Sequence, residues 1–321
     1  MTAVLSTGFN TRLADGDLSR LDTRLKHMTA LGCTGAEITA VGLDAVVSCR
    51  LLPQRVAAVK EIMRRYDLAY SMHAPIAVNL MDEAHGDIMR KAALISMDLA
   101  AEIGAKVVVL HPGRVPPKDW IDRRDALCQF ELDQLGLVAD RAAEHGIEIA
   151  YENISPNPRV IAGLETSYSL DPQALSQQLD RLNHPAVMAC LDISHAKQGA
   201  GLWGFDMIAA CVALAPWIGH IHFSDSTGVP ASFPTGSRNE QHFFGVGDMH
   251  APQGLGAVDF DGLAKALTVR QNTRVVIEIK KNFLEHAEAE TLAAAQAFAA
   301  QLQAPTNGGA DRTSPNFRSD I

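Results

Sequence analysis

Eight short apolar runs alternate with eight longer amphipathic segments along this 321-residue chain, and no single motif limits the fold as much as that alternation. The runs are VLSTGF (4–9), AEITA (36–40), LAYSMHA (68–74), KVVVLH (106–111), IEIAYEN (147–153), VMACLDI (187–193), IGHIHFS (218–224) and RVVIEIK (274–280). Near-continuous apolar runs rich in β-branched residues suit strands buried on both faces, as in parallel sheets. Between them, apolar periodicity predicts helices near 17–31, 53–66, 83–103, 120–145, 171–183, 203–214, 259–268 and 284–303. In HGDIMRKAALISMDLAAEIGA the apolar positions recur every three or four residues, and Gly104 stands where a left-handed cap belongs. Parallel strands need crossover helices, and eight such units close naturally into a (β/α)8 barrel. A doubly wound open sheet is the rival, but no G-x-G-x-x-G follows the first run. The expectation is an α/β, single-domain (β/α)8 TIM barrel over 1–303, with a long loop at 225–258 after strand seven. The polar, Pro/Gly-rich stretch 304–321 reads as a disordered, flexible tail.

Hydrophobic residues make up 47% of the chain, enough for a substantial core, and the formal net charge is −9. That balance disfavours a general electrostatic grip on nucleic acid. The five cysteines are scattered, odd in number and without CxxC spacing, so they read as buried thiols in a reducing compartment. No signal-like segment opens the sequence, and no apolar stretch is long enough to span a bilayer. The expectation is a soluble cytoplasmic protein with no membrane partner. A homo-oligomer or a partner subunit is left open.

The chemistry-bearing residues fall at the ends of the apolar runs. His73, His111, Glu152, Asp192, His222 and Glu278 each end or follow a strand candidate. A strand interior has little use for a carboxylate, because an unpaired buried charge is very costly. In a barrel, residues at the C-terminal strand ends share one face, where active sites of this architecture lie. Glu152, Asp192, His222 and Glu278 therefore form a candidate ligand set for one divalent ion. Three oxygens and one nitrogen suit Mn²⁺ first, with Mg²⁺, Co²⁺ or Zn²⁺ as alternatives. His195, three residues after Asp192, together with His73, His111, His250, Asp248 and Lys280, are candidate substrate-binding groups. Arg114 and Lys281 are further candidates for an anionic or hydroxylated substrate. Asp248 and His250 share one side of an extended segment, and Gly254-x-Gly256 then permits a tight turn. His220 is read as facing the opposite side of its strand from His222, in a structural role. In RVVIEIK, Val276, Glu278 and Lys280 share one face, and Val275, Ile277 and Ile279 share the other, which should pack under the helices.

GCTGAEI (32–38), HAP (73–75), HPG (111–113), EN (152–153), LDISH (191–195), HFSD (222–225) and DMHAPQGLGAVDF (248–260) together resemble motifs of the xylose isomerase-like barrel superfamily. That superfamily holds sugar isomerases and epimerases as well as endonuclease IV-type abasic-site nucleases. The isomerase/epimerase branch implies metal ligands at Glu152, Asp192, His222 and Glu278, with Glu152 and Glu278 also serving as acid and base. The nuclease pattern implies nine ligands for three zinc ions: His73, His111, Glu152, Asp192, His195, His222, Asp248, His250 and Glu278.

The primary expectation is a divalent-metal-dependent isomerase or epimerase acting on a small-molecule carbohydrate: a sugar, keto-sugar or polyol. Its ion would stabilise an enediolate while the two catalytic glutamates, Glu152 and Glu278, move the proton. The same intermediate can expel a β-leaving group, so a dehydratase or a lyase on a 3-keto-glycoside is one alternative. A zinc phosphodiesterase on abasic DNA is the other.

Overall fold

The computed structural model describes residues 3–13 and 15–305, apart from the side chains of Leu284 and Glu285. Eight strands form the barrel: Val4–Asn10, Gly35–Thr39, Ala69–His73, Val107–Leu110, Glu148–Glu152, Val187–Asp192, Ile218–Phe223 and Thr273–Ile277. They run parallel in chain order around the ring, and the first strand closes it by pairing with both the second and the eighth. The fold is a TIM barrel. Most of the tail expected at 304–321, from residue 306 onward, lies outside the described residues.

Strand alternation divides the core in two. Val108, Leu110, Ile149 and Tyr151 join the large cluster beneath the surrounding helices, whereas Val107, Val109, Ala150, Met188 and Cys190 form a separate small cluster. Period-two geometry puts the second set inside the barrel. Val275, Ile277 and Ile279 join the large cluster, as their spacing predicts. The eighth strand ends at Ile277, so Glu278 and Lys280 leave the ladder at the barrel mouth. Helix Gly86–Ile103 ends on Gly104 at φ 86°, whose N–H bonds the Ala100 and Ala101 carbonyls.

Two regions differ from the periodicity reading. Two helices, Ile193–Trp203 and Met207–Leu214, separated at Gly204 (φ 75°), stand where only one, near 203–214, was expected. The first was hidden because Asp192 both ends its strand and caps the helix, accepting from the His195 N–H. The expected 225–258 loop also carries short elements of its own: helix Arg238–Phe244 and bridges Val229–Val246 and Asp225–Ala251. Among the described residues, no helix is long and apolar enough to cross a membrane.

The first two strands approach closely where both carry glycine. A Cβ on Gly8 would lie 1.8 Å from the Gly35 carbonyl oxygen. Gly8→Ala should therefore cost about 1–3 kcal/mol, the scale of overpacking. Gly136, inside helix Pro117–Glu144, has nothing within 4 Å of its built Cβ. Gly136→Ala should instead gain about 0.5–1 kcal/mol. Urea unfolding of the pair checks both signs.

Candidate metal centre and active site

The C-terminal strand ends gather their polar side chains around Glu152, which is 1% exposed. Its Oε2 lies 3.1 Å from His111 Nε2 and 3.4 Å from His73 Nε2. Its Oε1 lies 3.2 Å from His195 Nδ1 and 3.3 Å from His222 Nδ1. His222 Nδ1 is also 3.4 Å from Glu278 Oε2 and 3.7 Å from Asp192 Oδ2. Beyond Asp192, Asp248 Oδ1 sits 2.9 Å from His250 Nε2 and 3.7 Å from His195 Nε2. The side chains thus fall into adjoining candidate ligand groups. His73–His111–Glu152 is one, Glu152–Asp192–His222 with Glu278 beside it is another, and Asp192–His195–His250 with Asp248 is a third.

The hydrogen bonds on the outer side of each ring fix where its lone pair points. His73 Nδ1 faces the Ala74 carbonyl at 2.8 Å, His195 Nδ1 the Asn153 carbonyl at 2.9 Å, and His250 Nδ1 the Glu278 carbonyl at 2.8 Å. A carbonyl only accepts, so each of these nitrogens carries the proton. In a neutral ring the other nitrogen then presents a lone pair to carboxylate oxygens. Two acceptors cannot face each other across about 3 Å without a positive species between them. Glu152 Oε2, Asp192 Oδ2 and His111 Nδ1 are also buried without a hydrogen-bond partner. These residues therefore fit divalent cations, with outer acceptors orienting the ligand rings.

Without a cation, protons must supply that charge. Burial alone would push His73 down, but Glu152, Glu37 and Glu278 carry it up to about 9. Burial likewise opposes protonation of His195, while Asp192, Glu152 and Asp248 raise it to about 10. Glu152 feels the same desolvation upward, yet His222 and His111 hold its carboxyl well below the ordinary range.

Neighbouring groups hold these residues in place. The Asn153 side chain brackets the Asp192 backbone, accepting its N–H at 2.8 Å and donating to its carbonyl at 2.9 Å. Buried Glu131 accepts from Gly113 N–H at 2.7 Å and from Tyr151 and Tyr168, which fixes the turn after His111. Asp225 accepts from the N–H groups of Ser226, Gly254, Gly256 and Val258. That pins the loop carrying Asp248 and His250, and a Cβ on Gly256 would lie 2.2 Å from Asp225 Oδ1. His250 itself is left-handed at φ 42°, a conformation costly for a non-glycine residue. Gln198 adds a 2.9 Å bond to Asp248.

The expected orientation of His220 is corrected. Residues two apart share a strand face, and His220 and His222 both reach Glu37, at 3.0 and 3.3 Å. Glu37, Asn10, Asn153, Glu131 and Gln198 had no role in the sequence reading. Glu37 and Asn153 left a signal, as members of the GCTGAEI and EN motifs, and Glu37 also as a carboxylate inside the short apolar run AEITA.

Above the centre opens a cavity of about 650 Å³ lined by His73, His111, Glu152, His195, Asp248, His250 and Glu278, and also by Arg12, Arg114 and Lys280. Among the described residues, neither Arg12 nor Arg114 has an acidic partner within ion-pair distance, and Lys280 donates to the Asp248 carbonyl. Asp192 and His222 lie behind this wall. Lys281 is exposed and lines no part of it. Glu240 and His242, the other carboxylate–imidazole pair in the loop, sit on helix Arg238–Phe244 away from the cavity.

A family model described as xylose isomerase-like TIM barrel matches residues 25–301. The chain belongs to that family. One curated relative, the uncharacterized protein MJ1311 of Methanocaldococcus jannaschii, is 24% identical over 182 residues, 56% of this chain and 58% of that protein. The match thus spans little more than half the length of that relative. Among solved structures, a D-tagatose 3-epimerase-like protein superposes with a TM-score of 0.65 at 16% identity, over 91% of this chain and 99% of its own. Endonuclease IV from Thermus thermophilus superposes with a TM-score of 0.57 at 19% identity, over 92% and 98%. At these identities the structures show a shared fold, and a fold does not fix an activity.

Cation binding must displace protons from the rings. His73 and His195, raised to about 9 and 10, carry protons at pH 7 in the metal-free protein and must lose them to act as ligands. Zinc uptake at pH 7 should release protons, and affinity should rise with pH until about pH 10. Calorimetry in buffers of different ionisation enthalpy reads this directly. Uptake with no proton release between pH 6 and 8 would contradict the ligand assignment.

Proposed function

We propose that this family member is a divalent-metal enzyme with room for up to three ions, and that it hydrolyses a phosphoester of a small sugar-like molecule. The observation that carries this reading is the division of Glu152, whose two oxygens face different ligand groups. A bridging carboxylate behaves this way. A general base has to meet a substrate proton, and Glu152, although it reaches the cavity wall, is 1% exposed with both oxygens taken up by four imidazoles. One-ion chemistry at Glu152, Asp192, His222 and Glu278 would also leave four buried histidines, and Asp248 grouped with two of them, holding no ion. Five imidazoles among nine ligands favour Zn²⁺ over the Mn²⁺ suggested by the four-residue set.

Bound divalent ions would supply charge neutralisation for a phosphoryl group and acidify water at neutral pH. The chain's own residues do the rest. Glu278, its side chain 13% exposed at the cavity wall, is steadied by a 2.9 Å bond from Asn10; it accepts a proton from the attacking water and returns it to the departing alcohol oxygen as the old P–O bond breaks. Arg12, Arg114 and Lys280 ring the cavity with positive charge and orient the anionic substrate. A cavity of about 650 Å³ suits a small ligand, and the net charge of −9 argues against a duplex. Five free cysteines, four of them buried, suit the reducing cytoplasm.

A second reading, sugar isomerisation or epimerisation with one ion, is favoured by the position of Glu278, which is set to move a proton at the cavity wall. Metal content and turnover separate the two. Zinc-loaded protein should hold two or three ions, hydrolyse bis(p-nitrophenyl) phosphate and leave a ketose panel unchanged, with an abasic-site duplex as a further arm. Glu278→Gln should lower hydrolysis by at least about a hundredfold with the fold intact. Saturation at one ion with ketose turnover and no hydrolysis would establish the second reading instead.

A further inference from the structure

The sequence motif that the proposed chemistry does not absorb is GAE on the second strand, and its Glu37 is fully buried below the ligand groups. Its Oε1 accepts from Asn10 Nδ2 at 2.9 Å and faces His222 Nε2 at 3.3 Å. Its Oε2 accepts from Ser71 Oγ at 3.1 Å and faces His220 Nε2 at 3.0 Å. The Asn10 amide is oriented without ambiguity, because its Oδ1 accepts from Arg12 N–H at 2.8 Å and Thr39 Oγ1 at 3.1 Å. The same Asn10 Nδ2 reaches Glu278 Oε1 at 2.9 Å.

The geometry points to Glu37 as the positioning residue of the centre: it commits His222 to the Nε2–H tautomer, leaving Nδ1 as the ligand atom, and it aligns Glu278 through Asn10. An ionised carboxylate offers only acceptors, so the ring nitrogen facing it must donate. His222 Nδ1 is then left with its lone pair directed at Glu152, Asp192 and Glu278, where an ion belongs. The outer acceptors of His73, His195 and His250 are backbone carbonyls. On the outer nitrogen of His222 the acceptor is instead the Glu37 carboxylate, which makes its ligand nitrogen more electron-rich. His220 braces the far oxygen of Glu37, and beside His222 on the same strand face it also meets Cys190 in a further group of ligand types.

This inference rests on the metal reading above, and the test keeps the two apart. Zinc affinity is measured by chelator competition for wild type, Glu37→Gln and His220→Gln, with folding followed by circular dichroism. A glutamine must turn its amide N–H₂ toward one of the donors that Glu37 accepts, so Glu37→Gln should weaken zinc about 10- to 100-fold. His220→Gln should change it less than about threefold. A folded Glu37→Gln that binds zinc as wild type does overturns the inference and leaves the metal reading standing. Wild type that holds no ion overturns the metal reading itself. If Glu37→Gln does not fold, nitrogen NMR of histidine-labelled, zinc-loaded wild type decides. Nε2–H with a metal-shifted Nδ1 at His222 supports the role, and Nδ1–H overturns it.

Discussion

Carboxylates held close together at the mouth of a barrel repel one another, and the site is organised around that charge. Glu37, Glu152 and Asp192 are buried, with Glu278 and Asp248 beside them toward the cavity. Such a cluster persists only if positive charge is placed among its members. The protein sets five imidazoles between the acids and ties the outer nitrogen of most of them to fixed acceptors. The ring nitrogens that remain can hold protons or cations. A centre that exchanges one for the other couples metal occupancy to pH, and the same lattice of acceptors keeps the rings from collapsing onto the acids when neither is bound.

The fold supplies the convergence at little cost. Parallel strands closed into a ring bring their C-terminal ends to one face, so residues far apart in sequence meet without any long-range contact designed for them alone. The loops then need only local anchors. Asp225 gathers four backbone N–H groups of the seventh loop, Glu131 holds the turn after His111, and Asn153 clamps the backbone of Asp192. Each anchor is a buried polar side chain bonded to the backbone of the segment it holds, which fixes a loop more sharply than apolar packing does.

The architecture and most of the centre were legible because both are written in strand ends. Histidine and acid at the close of an apolar run stand out against the hydrophobic pattern, and their shared address follows once the barrel closes. What stayed hidden has specific physical causes. Glu37 is an interior carboxylate satisfied by donors from other strands, and no local spacing reveals Asn10, Ser71, His220 and His222 as its partners. Helix Ile193–Trp203 begins on a residue that also ends a strand, so periodicity gave no gap to mark its start. The orientation of His220 was misjudged although strand geometry decides it, since positions two apart point the same way. The number of ligand groups was beyond the sequence for a different reason: whether nine candidate ligands form one centre or several depends on which oxygen of Glu152 faces which ring.

That distribution is the central claim, and anomalous diffraction at the zinc edge from zinc-loaded crystals tests it most directly. Separate peaks are expected in the His73–His111–Glu152 group, the Glu152–Asp192–His222–Glu278 group and the Asp192–His195–His250 group with Asp248, with Glu152 between the first two. One peak at the Glu152–Asp192–His222–Glu278 group, with the other histidines turned toward solvent or substrate, would contradict it.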